Sequence, residues 1–139
     1  MFDKSPFDYA SYDRWTEEIG ELIVHFPLSV KYVCSGKHYS GRIVCQKGDS
    51  ADTATITIID CLGNPLPLNQ FTPSIIVSDY EGNEVLILDA EITNIVGSLR
   101  VRLTVDSLPK AYYKMVVKLV HEEETIIAPS YGFIILSIV

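Results

Sequence analysis

Three histidines are the first residues to weigh, because imidazole serves both as a metal ligand and as a general base near neutral pH. His25, His38 and His121 stand far apart, with no HxH or HExxH spacing among them. His121-Glu122-Glu123-Glu124 opens like a zinc-protease motif, which needs a second His one helical turn after the first. Thr125 stands there instead, in strand-rich surroundings, so the run reads as a solvated hairpin loop. Asp79-Tyr80-Glu81-Gly82-Asn83-Glu84 has the composition of a calcium loop, yet Gly82 comes two positions early and position twelve is Ala90. Gly82-Asn83 fits a hairpin turn, where a left-handed residue joins two strands at little steric cost. Asp49, Asp52 and Asp60 are the acids that end-loops of a sandwich would bring round a cation; the plainer reading is loop acids in solvent. There is no Gly-rich phosphate loop and no GxSxG elbow. The expectation is therefore a non-enzyme with no catalytic residues, no cofactor and no metal.

Cys34, Cys45 and Cys61 are odd in number and form no CxxC pair. A secreted disulfide framework shows an even count, so reduced, buried thiols are expected; a Cys34–Cys45 bridge across a hairpin stays open as an alternative.

The remaining chemistry is that of contact. Phe2, Phe7, Tyr9, Tyr12 and Trp15 crowd the first fifteen residues among acids, on a segment too small to own a core. Large aromatics in such a place must pack either on the rest of the domain or on a neighbouring subunit, which makes these five the expected partner-binding residues. A second set is Arg100 and Arg102 with Lys114 and Lys118, the outward residues of two alternating strands. They are expected to form a basic stripe on one sheet that meets an acidic neighbour. An ordinary solvated face is the plainer alternative.

The elements that must position these residues are strands. Short apolar, β-branched segments recur at roughly 8 to 12 residue spacing, each stopped by Gly, Pro, Asn or Asp, which is the all-β signal. The expected strands run over 21–26, 28–34, 42–45, 53–60, 74–78, 84–89, 99–105, 112–121 and 131–139, with Pro27 marking an edge or bend. In 99–105 the odd residues are apolar and the even ones polar; Tyr113, Met115, Val117 and Leu119 make a matching inner row. Before them, a short helix is expected from about Asp13 to Ile19, capped by Ser11 or Asp13 and stopped by Gly20. At 139 residues with 47% apolar and 21% charged, the chain is of single-domain size and able to fold. Its net charge of −7 argues against a nucleic-acid partner, which demands a basic face. No apolar run approaches the roughly 20 residues that span a bilayer, and the acidic start is unlike a secretory signal. A soluble protein made in the cytoplasm is the resulting expectation.

Gln46-Lys47-Gly48-Asp49, then Ala54-Thr55-Ile56-Thr57-Ile58-Ile59-Asp60, then Gly63-Asn64-Pro65-Leu66-Pro67-Leu68 resembles the opening of the immunoglobulin-like N-terminal domain of phage baseplate upper proteins. The likeness continues through Asp79-Tyr80-Glu81-Gly82-Asn83, Gly97-Ser98-Leu99-Arg100-Val101, Tyr112-Tyr113-Lys114-Met115 and Gly132-Phe133-Ile134-Ile135-Leu136, covering residues 43 to 139. It implies an immunoglobulin-like antiparallel β-sandwich over 43–139; residues 1–42 lie outside the likeness and are expected from their own composition to be an arm that holds the short helix and added strands. It also implies a virion structural protein, synthesised in the host cytoplasm, whose partners are other virion proteins and further copies of itself, with no nucleic acid and no membrane. Such a subunit docks on a tail, baseplate or capsid through its aromatic arm and its sheet edges, where the exposed backbone of the last strand extends a neighbour's sheet. The rival expectation is a free-standing adhesion or carbohydrate-binding sandwich with a solvent-open aromatic cluster, for which Tyr39, Tyr80 and Tyr131 are the residues to inspect. Deleting residues 1 to 19 is expected to leave a folded monomer that no longer enters particles.

Overall fold

The computed structural model describes residues 14–34, 42–45, 53–105, 107–109 and 111–139. Eleven strands are found among them and no helix: Trp15–Ile19 (β1), Leu22–Phe26 (β2), Ser29–Cys34 (β3), Arg42–Cys45 (β4), Thr53–Ile59 (β5), Thr72–Ser78 (β6), Glu84–Ile92 (β7), Ser98–Arg102 (β8), Tyr112–His121 (β9), Glu124–Ala128 (β10) and Ile134–Ile138 (β11). One sheet runs β3-β5-β8-β7 and the other runs β7-β6-β9-β11-β4, with β10 also on β9. β7 belongs to both. Its first half, Glu84 to Asp89, pairs with β6, and Ala90–Ile92 pairs with β8, so this strand carries the chain from one layer to the other. β4 lies parallel to β11 while all other pairs are antiparallel. This is the β-sandwich expected from the spacing of strands and turns, with the immunoglobulin-like form that the resemblance implied.

Alternation sets which side of each strand is dry. In β5 Ala54, Ile56 and Ile58 are buried while Thr53, Thr55 and Thr57 point away. Leu99, Val101, Leu103 and Val105 face inward, as do Tyr113, Met115, Val117 and Leu119 of β9, and these rows form one core. At the start of β9 the Tyr113 hydroxyl donates to the Pro109 carbonyl at 3.3 Å, four residues upstream. This is the tyrosine corner of immunoglobulin-like sandwiches, which pins the crossover loop to the strand it feeds.

Turn chemistry also holds. Asp60-Cys61-Leu62-Gly63-Asn64 and Asp79-Tyr80-Glu81-Gly82-Asn83 are the same turn made twice, each with a left-handed glycine in fourth place. In each, one oxygen of the first aspartate accepts two backbone N–H groups: Leu62 and Asn64 at 2.9 and 3.0 Å, Glu81 and Asn83 both at 2.9 Å. The Asp79 turn closes the β6–β7 hairpin, so the calcium reading gives way to a self-satisfied turn.

Four expectations change. The helix over 13–19 is absent among the described residues: Trp15 to Ile19 pair with Phe26 to Leu22, and Gly20, with φ of 61°, is the first residue of the two-residue turn between them. Five cross-strand pairs with β2, closed by buried Ile19 at one end and by the Trp15–Phe26 stack at the other, outweigh the capping signal. The described part of 1–42 is no loose arm, since Ile19, Val24, Phe26 and Leu28 lie in the common core and β3 pairs with β5. The last strand does not expose its backbone, because β11 is flanked by β9 on one side and β4 on the other. Finally, the segment expected as one strand over 131–139 starts later, and β10 forms ahead of it; together β10 and β11 occupy one edge of β9, interrupted by the loop 129–133.

Candidate docking surface

The N-terminal hairpin is tied to the sandwich at both ends. At its tip, the Gln70 side-chain amide donates to the Ile19 carbonyl at 2.6 Å, and His121 Nδ1 lies 3.0 Å from the Gln70 carbonyl, a contact in which the ring nitrogen donates. At its base, Leu28 and Ser130 bind reciprocally: the Leu28 N–H donates to Ser130 Oγ at 2.8 Å and the Ser130 N–H to the Leu28 carbonyl at 2.9 Å. Trp15, at the start of β1, stacks face to face on Phe26 with centroids 4.8 Å apart, and Tyr131 meets it edge-on at 6.3 Å. Its indole N–H donates to Glu17 at 3.2 Å. Trp15, the first residue of β1, is therefore held by ring contacts worth about 1 kcal/mol each beyond burial.

Beside this root lies an open groove of about 700 Å³. Pro27, Leu28, Ile59, Pro129 and Tyr131 supply its apolar walls, Arg14 and Lys31 its cations, and Asp60 and Cys61 complete it. The corner between β2 and β3 and the loop 129–133 bring these walls together from opposite parts of the chain. A smaller cleft between the hairpin and β10 is lined by Trp15, Glu17, Thr125 and Ile127.

A second aromatic group sits on the other sheet. Tyr80 and Phe133 meet edge to face at 5.9 Å, and Lys114 Nζ lies over both rings, 5.2 Å from one centroid and 4.9 Å from the other. Half-buried Lys114 is thus held against two π faces. On the same outward face, exposed Ile87 stands opposite Ile76, which stands opposite Val116.

Of the five aromatics expected to bind a partner, Trp15 is placed as above, while Phe2, Phe7, Tyr9 and Tyr12 lie outside the described residues, as do Tyr39, His38, Asp49 and Asp52. The four expected cations do not form one stripe. Arg100 and Arg102 lie on β8 of one sheet and Lys114 and Lys118 on β9 of the other, and the two outer faces point apart. Glu91 is the cross-strand neighbour of Arg100, and Asp89 lines the same cleft, so that face is of mixed charge. The error came from treating strands consecutive in sequence as neighbours in one sheet. Cys45 is buried and Cys61 half-buried at the groove; the side chain of Cys34 lies outside the described part, and with it the Cys34–Cys45 question.

His121-Glu122-Glu123-Glu124 is the β9–β10 hairpin, with Glu122 and Glu123 exposed at its turn. Among the described residues no group of three or more His, Cys, Asp or Glu side chains is close enough to hold a metal ion, and no helix is long and apolar enough to cross a membrane. Of the groove residues Tyr131 was singled out for inspection, while Arg14 and Lys31, and the grouping of the three, were missed. The only sequence signal they left was a proline beside each wall, Pro27 and Pro129.

No protein-family model matches the chain, and no curated protein matches it. Among solved structures, the crystal structure of CopC from Methylosinus trichosporium OB3b is similar with a TM-score of 0.45 and 11% identity, covering 80% of this chain and 92% of that one.

Proposed function

We propose that this chain is a non-enzymatic structural subunit of a phage virion, an accessory protein fixed in several copies to a tail, baseplate or capsid surface by its aromatic N-terminal segment. The observation that carries the reading is the rooted Trp15. Phe2, Phe7, Tyr9 and Tyr12 precede in sequence a Trp15 that is fixed by a ring stack, and Arg14, between them, lines an apolar groove. Anchors of that size remove about 150 to 250 Å² each from water and dominate contact energetics. The resemblance of the turn-and-strand sequence pattern to that of phage baseplate upper proteins is what suggests a virion setting. Among the described residues β10 pairs with β9 alone, which leaves its other edge as the place where sheet extension would occur.

Because β1 belongs to the fold and Ile19 is buried, the deletion that tests the segment stops at Asp13 and spares Trp15. Chain lacking 1–13 is expected to keep its melting transition and to be lost from purified particles. Unchanged incorporation would remove the reading.

One observation favours a second reading, a free-standing adhesion or carbohydrate-binding module. Tyr80 is 50% and Phe133 41% exposed, with Lys114 against both, an arrangement on which a sugar face or an anionic group can rest. Binding to a glycan array that is abolished by Tyr80→Ala would establish it.

A further inference from the structure

We propose that the groove between the β2–β3 corner and the loop 129–133 is the receptor for the N-terminal segment, residues 1–13, of a second copy of this chain; this rests on the attachment role above and names the partner. The first support is charge. The segment carries Asp3, Asp8 and Asp13 against Lys4, and the groove carries Arg14 and Lys31 against Asp60, one oxygen of which already accepts two turn amides. The second is shape and polarity. A groove of about 700 Å³ walled by Pro27, Leu28, Ile59 and Pro129 has room for one or two aromatic rings, and exposed Tyr131 offers an edge or face to them. The third is position. Arg14, the residue that follows the segment, is itself a wall of the groove, so donor root and acceptor site sit side by side on each copy. Thirteen residues reach at most roughly 45 Å when extended, far enough to cross to an adjacent copy.

A segment that leaves one copy and enters the groove of the next makes a head-to-tail contact. Repeated, such a contact closes into a ring or continues as a row, the arrangement that a multi-copy surface protein requires. The rim cations set register and speed the encounter, while the aromatic rings supply the contact area.

The test uses the full chain, prepared in isotopically heavy and light forms, mixed, and treated with a zero-length carboxyl-to-amine cross-linker. Mixed-isotope links from Asp3, Asp8 or Asp13 to Lys31 are expected, together with oligomers in light scattering. Lys31 is exposed on β3, so Lys31→Glu should leave the melting transition in place while raising the concentration at which oligomers form in light scattering about tenfold or more. Combining Lys31→Glu with Asp8→Lys should restore the oligomers and give mixed-isotope links between positions 8 and 31, with amine and carboxyl exchanged. Links confined to one isotope, or oligomers of Lys31→Glu forming at the parent's concentration, would overturn the proposal. If mixed links are absent and yet chain lacking 1–13 still fails to enter particles, the groove assignment falls while the attachment role stands.

Discussion

Tyr113 does two jobs that can be separated. Its ring fills the core beneath β9, and its hydroxyl ties β9 to Pro109. Removing only the hydroxyl, as Tyr113→Phe, should cost about 1 kcal/mol in urea denaturation, with an unchanged slope, because one hydrogen bond is lost and the packing is kept. Asp79 offers a pH test. Acceptance of the Asn83 backbone N–H, chiefly, holds its carboxyl below the usual value of 3.8, with further contributions from the Asn83 side chain and the Glu81 and Gly82 N–H groups. A carboxylate with a lowered folded pKa stabilises the fold above its unfolded pKa, and that contribution fades as pH falls through the folded value. The stability difference between the parent and Asp79→Ala should therefore be full at neutral pH and shrink below pH 3.8. Asp79 lies half-buried on a surface turn, so added salt should reduce the difference as well.

At the scale of elements, the β1–β2 hairpin borders the proposed docking groove, and Trp15 is the ring that anchors it. Trp15→Ala should cost about 1 to 2 kcal/mol by thermal melting, from the lost stack on Phe26 and the lost edge contact with Tyr131. The sequence was readable wherever alternation had a length to work on. β4 and β9 fall on their expected limits, and β5 and β8 face as their apolar residues demanded. β1 was misread because five residues with acids near the start and a glycine at the end satisfy helix-cap rules as well as hairpin rules. Only the pairing of Trp15 with Phe26, a tertiary fact for so short a segment, decides between them. β10 was missed because Glu124-Thr125-Ile126-Ile127-Ala128 is brief and follows its partner after two residues, so no loop announces it.

For the whole molecule, the same limit explains the docking surface. Periodicity says which side of a strand is dry and stays silent on which sheet the strand joins, so the four cations were grouped wrongly while their outward direction was right. The groove was illegible for the same reason: its walls come from residues near 30, 60 and 130, joined by a strand order that no local pattern encodes. The pairing of Leu28 with Ser130, more than a hundred residues apart, is what closes it. The role proposed for the molecule is settled most directly by mass spectrometry of purified virus particles, quantifying this chain against the major capsid protein. The expected result is a fixed ratio that survives further purification, with hundreds of copies marking a capsid surface and a few to some dozens marking a tail or baseplate. A chain absent from the particles and recovered free from the infected cell would contradict it.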